Sequence, residues 1–302
     1  MRSILSRLRG RLSGGRRGAL HTYEGLQQAE DFFHGPSIDW EPGAQKIVVL
    51  APHMDDEVIG CGGTIARHVD AGADVTVMYL TDGRRGAANV NRLKGAELHE
   101  AELELIARRK EEAYKALGIL GVRKVAFLDC EDTKLDRDAD AAARLRAALL
   151  EIRPDIVYLP FFLEHHPDHR AVSPVLIAAA RGTDLAFQCH GFEVWTPLFP
   201  NCAVWIDSTM ERKRAAMAQY VSQLEDTNDL MHAMIGLASY RSVVRSRAQG
   251  RYAEAFFVLP LAEYAQCFET FAAGRSGRGM RIPATMSQAP ARPPRIDQCP
   301  VT

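Results

Sequence analysis

Four apolar runs set the rhythm of the chain: "KIVVLAP" at 46–52, "DVTVMYLT" at 74–81, "KVAFLDC" at 124–130 and "DIVYLPFF" at 155–162. Each is short, continuous and rich in Val, Ile and Leu, the pattern of a strand buried on both faces. Between them lie stretches of helical composition at 57–71, 92–117 and 138–152, the last stopping ahead of Pro154, because a proline disfavours helix in the residue before it. This alternation predicts a parallel sheet with right-handed crossovers. Beyond it, "CAVWID" (202–207) and "AFFVLP" (255–260) predict strands, and 208–224 and 227–248 predict helices. Neither an internal repeat nor a linker composition interrupts the series, so one α/β domain is expected over 44–272.

The ends read differently. Residues 1–43 begin with Arg2, Arg7, Arg9, Arg11, Arg16 and Arg17 and no acid among the first seventeen positions, while 273–302 are rich in Arg, Pro and Gly. Both segments are expected to be disordered. The 302-residue chain has 47% hydrophobic and 25% charged residues and a net charge of -1, an ordinary globular balance. It carries no apolar run of spanning length and no secretory leader pattern. The expected location is the cytoplasm, with the arginine-rich start offering peripheral contact to an anionic membrane. Cys61, Cys130, Cys189, Cys202, Cys267 and Cys299 form no Cys-x-x-Cys pair, so reduced core thiols are expected.

In parallel sheets, ligands gather at the carboxyl ends of the strands. There the chain places "HMDDE" after the first strand, "TDGRRG" after the second and "EHHPDH" after the fourth. Three carboxylates at the end of a buried strand require a positive partner. Nucleotide binding at this turn is excluded. Gly60, Gly62 and Gly63 do not spell Gly-x-Gly-x-x-Gly, no Gly-Lys-Ser/Thr follows, and Asp55, Asp56 and Glu57 stand where a pyrophosphate would lie. Three histidines in five residues (His165, His166, His169) with Asp168 point to a metal or catalytic site, to which His53 and Asp56 add a nitrogen and an oxygen donor. Two histidines and one aspartate leave a coordination position open for water, as catalytic sites do.

"APHMDDE" and "HPDH", each ending a parallel strand, resemble the LmbE-like (PIG-L) family of zinc-dependent N-deacetylases. "TDGRRG" (81–86), "RRKEEAYKALGILGV", "YVSQ" (220–223) and "YAEAF" (252–256) extend the resemblance over most of the core. Met54 stands where the family usually has proline, and Glu164 where aspartate is more usual. The resemblance implies a Rossmann-like three-layer sandwich with a mostly parallel central sheet. It implies zinc held by His53, Asp56 and His169, with Fe(2+) the competing ion. Asp55 would be the general base, His166 an electrophilic helper and Asp168 the carboxylate that orients His166. The implied substrate is an N-acetylated amino sugar, lipid- or nucleotide-linked among other options. Nucleic acid is not an expected partner, and a homo-oligomer is compatible with the reading.

Arg84, Arg85 and Trp195 are candidate substrate contacts, against a default of solvated arginines and a core tryptophan. Arg109 and Glu112, three apart on a helix, are expected to form an ion pair, and Cys61 to be buried packing. Two alternatives stand beside the hydrolase. One is a non-catalytic carbohydrate- or metal-binding module of the same fold. The other is a 2-His-1-carboxylate Fe(II) enzyme using His53, Asp55 and His169.

Overall fold

The computed structural model describes residues 38–225, 230–243, 250–273 and 292–299. Among them the strands are β1 (Ile38–Asp39), β2 (Lys46–Ala51), β3 (Asp74–Thr81), β4 (Lys124–Cys130), β5 (Ile156–Pro160), β6 (Gln188–Phe192), β7 (Cys202–Trp205), β8 (Ala253–Pro260) and β9 (Ile296–Gln298). They form one sheet in the order β1-β7-β8-β6-β5-β2-β3-β4-β9. The middle is parallel: β2 pairs with both β3 and β5, β3 with β4, and β5 with β6. Antiparallel partners flank it, β8 on β6, β7 on β8 and β9 on β4. The helices are α1 (Asp56–Asp70), α2 (Gly95–Leu120), α3 (Ala141–Ile152), α4 (Pro167–Ala180), α5 (Met210–Met217), α6 (Val221–Leu224), α7 (Leu230–Val243) and α8 (Leu261–Ala273). The mostly parallel α/β architecture expected from the apolar runs is the one observed. No described helix is long and apolar enough to cross a membrane.

The structure departs from the sequence reading in several places, one of them β1 (Ile38–Asp39), which falls within the 1–43 segment expected to be disordered. β6 was missed because "QCHGF" is polar and glycine-bearing, yet it lies beside β5 with Cys189, His190, Gly191 and Phe192 buried. α8 was missed as well. The helix expected over 208–224 divides into α5 and α6. Within the 273–302 segment expected to be disordered, Ile296–Gln298 pair with Lys124–Ala126 as an edge strand. Residues 1–37 lie outside the described part, and with them the arginines behind the membrane expectation. All six cysteines are unpaired, and every one except Cys267 is buried.

The central strand β2 is buried from Ile47 to Ala51, so α1 must pack closely upon the sheet. Glycine permits this: a Cβ on Gly60 would lie 2.2 Å from the Phe192 ring, and one on Gly63 2.7 Å from Ile206. α1 also breaks at Cys61 (φ −148°, ψ 20°). The freed backbone groups find a buried ion pair. Lys213 Nζ donates to Ile59 O (2.9 Å) and to Glu254 (2.5 Å), while Glu254 accepts the N–H groups of Gly63 (2.9 Å) and Thr64 (2.7 Å). An interior charge is tolerable when it is paired and hydrogen-bonded in this way.

Away from the carboxyl edge, His68 receives the Tyr158 hydroxyl at Nε2 (2.9 Å) and donates from Nδ1 to Gly43 O (3.2 Å). His190 lies between Trp40 and Tyr158, with ring centroids 5.1 and 4.8 Å away. Burial pushes His68 down to about 4 and His190 down to about 3. Both rings therefore stay neutral while an unfolded chain takes up protons below about pH 6.5. The folding stability they support is complete above that pH. It should be lost as pH falls toward 4, at on the order of 1.4 kcal/mol per pH unit for each ring. Urea unfolding at stepped pH checks this, and His190→Phe should move the acid midpoint lower.

Candidate active site and metal centre

The turn after β2 carries the first half of the site. The His53 N–H donates to Asp56 Oδ2 (2.8 Å), drawing the first residue of α1 back over the turn. Between them, Asp55 has φ 147° and ψ −26°, a left-handed backbone that costs a non-glycine residue about 1–3 kcal/mol. Its N–H donates to Glu57 Oε2 (3.3 Å), and Glu57 in turn receives the Tyr220 hydroxyl, itself 3.0 Å from that of Tyr79. The second half comes from α4, which starts on Pro167 with His166 as its cap; the His166 ring accepts the Asp168 N–H at Nδ1 (3.3 Å). Early in this helix, His169 turns into the interior and is fully buried.

The two halves meet on one oxygen. His53 Nδ1 and His169 Nε2 each lie 3.2 Å from Asp56 Oδ2. Apart from that ion-pair contact, neither ring nitrogen of His169 makes a well-formed hydrogen bond among the described residues, although both are buried. On the far side of the His53 ring, Nε2 lies 3.2 Å from Asp132 Oδ1 and 3.3 Å from Asp168 Oδ2. Donor atoms of His53, His166 and His169 fall within 4.8 Å of one another, and so do those of His53, Asp132 and Asp168. Either group could hold a metal ion. Asp56 belongs to neither, yet it touches two members of the first.

The charges are strongly coupled. Burial opposes a charge on His53, but Asp132, Asp168 and Asp56 outweigh it and hold the imidazolium well above its ordinary range. Burial also opposes ionisation of Asp56, yet His169 and His53 hold its carboxyl well below the usual range. Asp55 goes the other way: burial, then the neighbouring Asp56 charge, raise it to about 7 against the pull of Arg109. His166 is lowered to about 4 by burial and then by its two histidine neighbours. One aspartate is thus an acceptor fixed as the anion, and the other is poised near neutrality.

His53, Asp55, Asp56, His166, Asp168 and His169 all gather at this edge, as the sequence suggested. Asp168, however, is not aimed at the His166 ring. Its carboxylate accepts N–H groups of Thr133 (2.7 Å) and Leu135 (3.2 Å) and meets His53, so it braces the loop after β4. His165 points outward to solvent. Arg84 is held by Asp82 (2.6 and 2.8 Å) and Arg85 by Glu102 (2.9 Å). Trp195 is 51% exposed, its backbone N–H donating to Glu164 (3.0 Å). The Arg109–Glu112 pair is not formed: Glu112 binds Ser222 (2.6 and 2.9 Å) and Arg108 (3.2 Å), and Arg109 turns inward. The sequence pattern does not single out Asp132. It follows β4 in "DCEDT", a parallel-strand end to which the sequence reading assigns no site, and it also accepts the Arg85 N–H (2.9 Å).

Residues 48–180 match the model of the PIG-L family, described as GlcNAc-PI de-N-acetylase. The chain is 33% identical over 236 residues to the diacetylchitobiose deacetylase of Thermococcus kodakarensis, covering 72% of this chain and 84% of that one. The chain belongs to the LmbE-like (PIG-L) family. Among solved structures, this family member resembles the N,N'-diacetylchitobiose deacetylase of Pyrococcus horikoshii, with TM-score 0.62 and 26% identity over 73% of this chain and 86% of that one. It also resembles GalB, the 4-carboxy-2-hydroxymuconate hydratase of Pseudomonas putida KT2440, with TM-score 0.58 and 26% identity over 71% and 96%.

Glu164, where this family member departs from the usual aspartate, accepts N–H groups from Val194 (2.5 Å), Trp195 and Thr196 (3.3 Å). Glu164→Ala should remove these part-buried hydrogen bonds, each contributing about 1 kcal/mol. The checks are a lower urea midpoint and faster amide exchange confined to residues 193–196.

Proposed function

We propose that the protein is a zinc-dependent hydrolase that removes the N-acetyl group from an N-acetylated amino sugar, releasing acetate and a free amine. The observation that carries this reading is the convergence of His53 Nδ1 and His169 Nε2 on Asp56 Oδ2 at 3.2 Å, with Asp55 beside them and outside that triangle. Two ligands each about 2.1 Å from a tetrahedral ion stand about 3.4 Å apart, so the spacing suits a shared dication. The buried His169 ring, whose nitrogens make no well-formed hydrogen bond among the described residues, supports this fit, and so does the excess of carboxylates around His53. Zinc, when bound, supplies Lewis acidity that makes water reactive near neutral pH and polarises an acyl oxygen.

The side chains divide the remaining work. His53, donating from Nε2 to Asp132 or Asp168, keeps the Nδ1 lone pair free for the metal, because the outer hydrogen bond selects the tautomer. Asp55 takes the proton of the attacking water and returns it to the leaving nitrogen. The His166 Nδ1 accepts the Asp168 N–H, which leaves the ring proton on Nε2. His166 thus acts as a neutral donor to the acyl oxygen as negative charge builds there. Trp195 offers its exposed face to a sugar ring. Arg84 and Arg85 would exchange their present carboxylate partners for substrate hydroxyls. The catalytic domain is proposed as 44–272, completed by strand β9.

The sugar is proposed because the relatives above carry the names of diacetylchitobiose deacetylases. The likeness to a hydratase favours a second reading, water addition to a conjugated carboxylate by the same groups. A panel containing N-acetylglucosaminyl compounds and unsaturated carboxylates separates the two: released amine supports the first, and loss of conjugated absorbance the second. Ligand binding without turnover would favour a binding module.

Anaerobically purified protein should carry about one divalent ion per chain, zinc rather than iron. His169→Ala and Asp56→Ala should lose it. Asp55→Asn should keep the ion and lose about 10²–10⁴-fold in kcat. Asp132→Asn should weaken ion affinity about 10–100-fold, read by competition with a chromogenic chelator. Full metal and near-normal kcat in Asp55→Asn would end the general-base assignment.

A further inference from the structure

Arg109 lies on the inner face of α2, only 2% exposed. Its Nη2 donates to Met54 O (2.9 Å) and sits 3.6 Å from Asp55 Oδ1, while its Nη1 donates to Gly83 O (3.0 Å). Met54 follows β2 and Gly83 follows β3, so one guanidinium on a 26-residue helix spans two of the loops that build the site. Those loops are shaped to admit it. A Cβ on Gly86 would lie 2.0 Å from Nη1, and one on Gly83 2.9 Å from it. The two glycines of "DGRRG" therefore clear the space that the guanidinium fills.

Asp55 needs such support. Its φ of 147° is a strained conformation, which persists only where surrounding groups over-determine it. Glu57 holds the Asp55 N–H from one side (3.3 Å). Arg109 holds the preceding carbonyl and lies against the side chain from the other.

We propose that Arg109 is a positioning residue for Asp55: its planar fork fixes the strained turn at Met54–Asp55 against the Gly83–Gly86 loop and aims the Asp55 carboxylate into the cluster. Lysine would match the charge but cannot address two carbonyls and a carboxylate from one plane. The inference rests on the reading of Asp55 as the general base.

Two variants test it by independent routes. Arg109→Lys removes the fork and keeps the charge. Gly86→Ala keeps the arginine and displaces its guanidinium. Both should fold and retain their divalent ion, with kcat on an N-acetylglucosaminyl substrate reduced about 10²-fold, the scale of an ångström-sized misplacement, and KM changed by less than about threefold. In an Asp55→Asn background, the same changes should cost less than about threefold, because coupled residues do not add. Amide exchange should quicken in segments 53–57 and 83–87 together. Wild-type-like kcat in both variants, losses that multiply with that of Asp55→Asn, or unchanged exchange in both segments would overturn the proposal. A wild type that hydrolyses no amide would sink the functional reading alone, and the exchange comparison would still decide whether Arg109 clamps the two loops.

Discussion

One carboxylate oxygen organises the edge of the sheet. Asp56 Oδ2 receives the His53 N–H at 2.8 Å and has two imidazole nitrogens at 3.2 Å. To put it there, the chain must turn sharply from β2 into α1, which forces the Asp55 backbone to φ 147°. The turn is a conformation that the local sequence would avoid, and it survives because Glu57, Arg109 and Asp56 each hold one of its polar groups. The Tyr79–Tyr220 pair behind Glu57 and the loop glycines in front of Arg109 serve the same end.

The other buried charges follow a common logic. Where secondary structure breaks in the interior, backbone groups lose their regular partners and must find others. Lys213 and Glu254 supply them at the break in α1. Arg241 and Glu193 do so for the loop reaching Leu198, with Arg241 donating to Leu198 O (2.8 Å) and Glu193 accepting its N–H (2.8 Å). Glu164 closes 194–196 in the same way. Each of these groups fixes the backbone at a helix break or a loop. Removing one partner from such a pair leaves a buried charge uncompensated and is more disruptive than the pair is stabilising.

The paired electrostatics of Asp55 and Asp56 show how neighbours in sequence acquire opposite properties. Burial raises both aspartates, yet Asp56 is drawn down by His169 and His53, while Asp55 is raised further by the charge of Asp56 against the pull of Arg109. A fixed anion and a carboxyl near neutrality arise side by side because the turn points the two side chains at different partners, the general route to two roles from one residue type.

Much of this was legible in the sequence. The continuous Val/Ile/Leu runs determined β2, β3, β4 and β5, since strands buried on both faces admit little else, and the strand-end rule marked His53, Asp55, Asp56, His166 and His169. Polar β6 escaped, because its burial comes from lying between β5 and β8 rather than from its own composition. Asp132 escaped because acids at a strand end with no histidine beside them have many uses, and only the fold sets it 3.2 Å from His53. Arg109 looked like an ion-pair partner of Glu112, because i, i+3 spacing speaks only of the helix it sits on. Periodicity and residue type are local quantities, and they determined the elements and the chemistry on offer. Tertiary structure decided which atoms face one another, because those distances depend on how loops distant in sequence are packed against the same sheet edge.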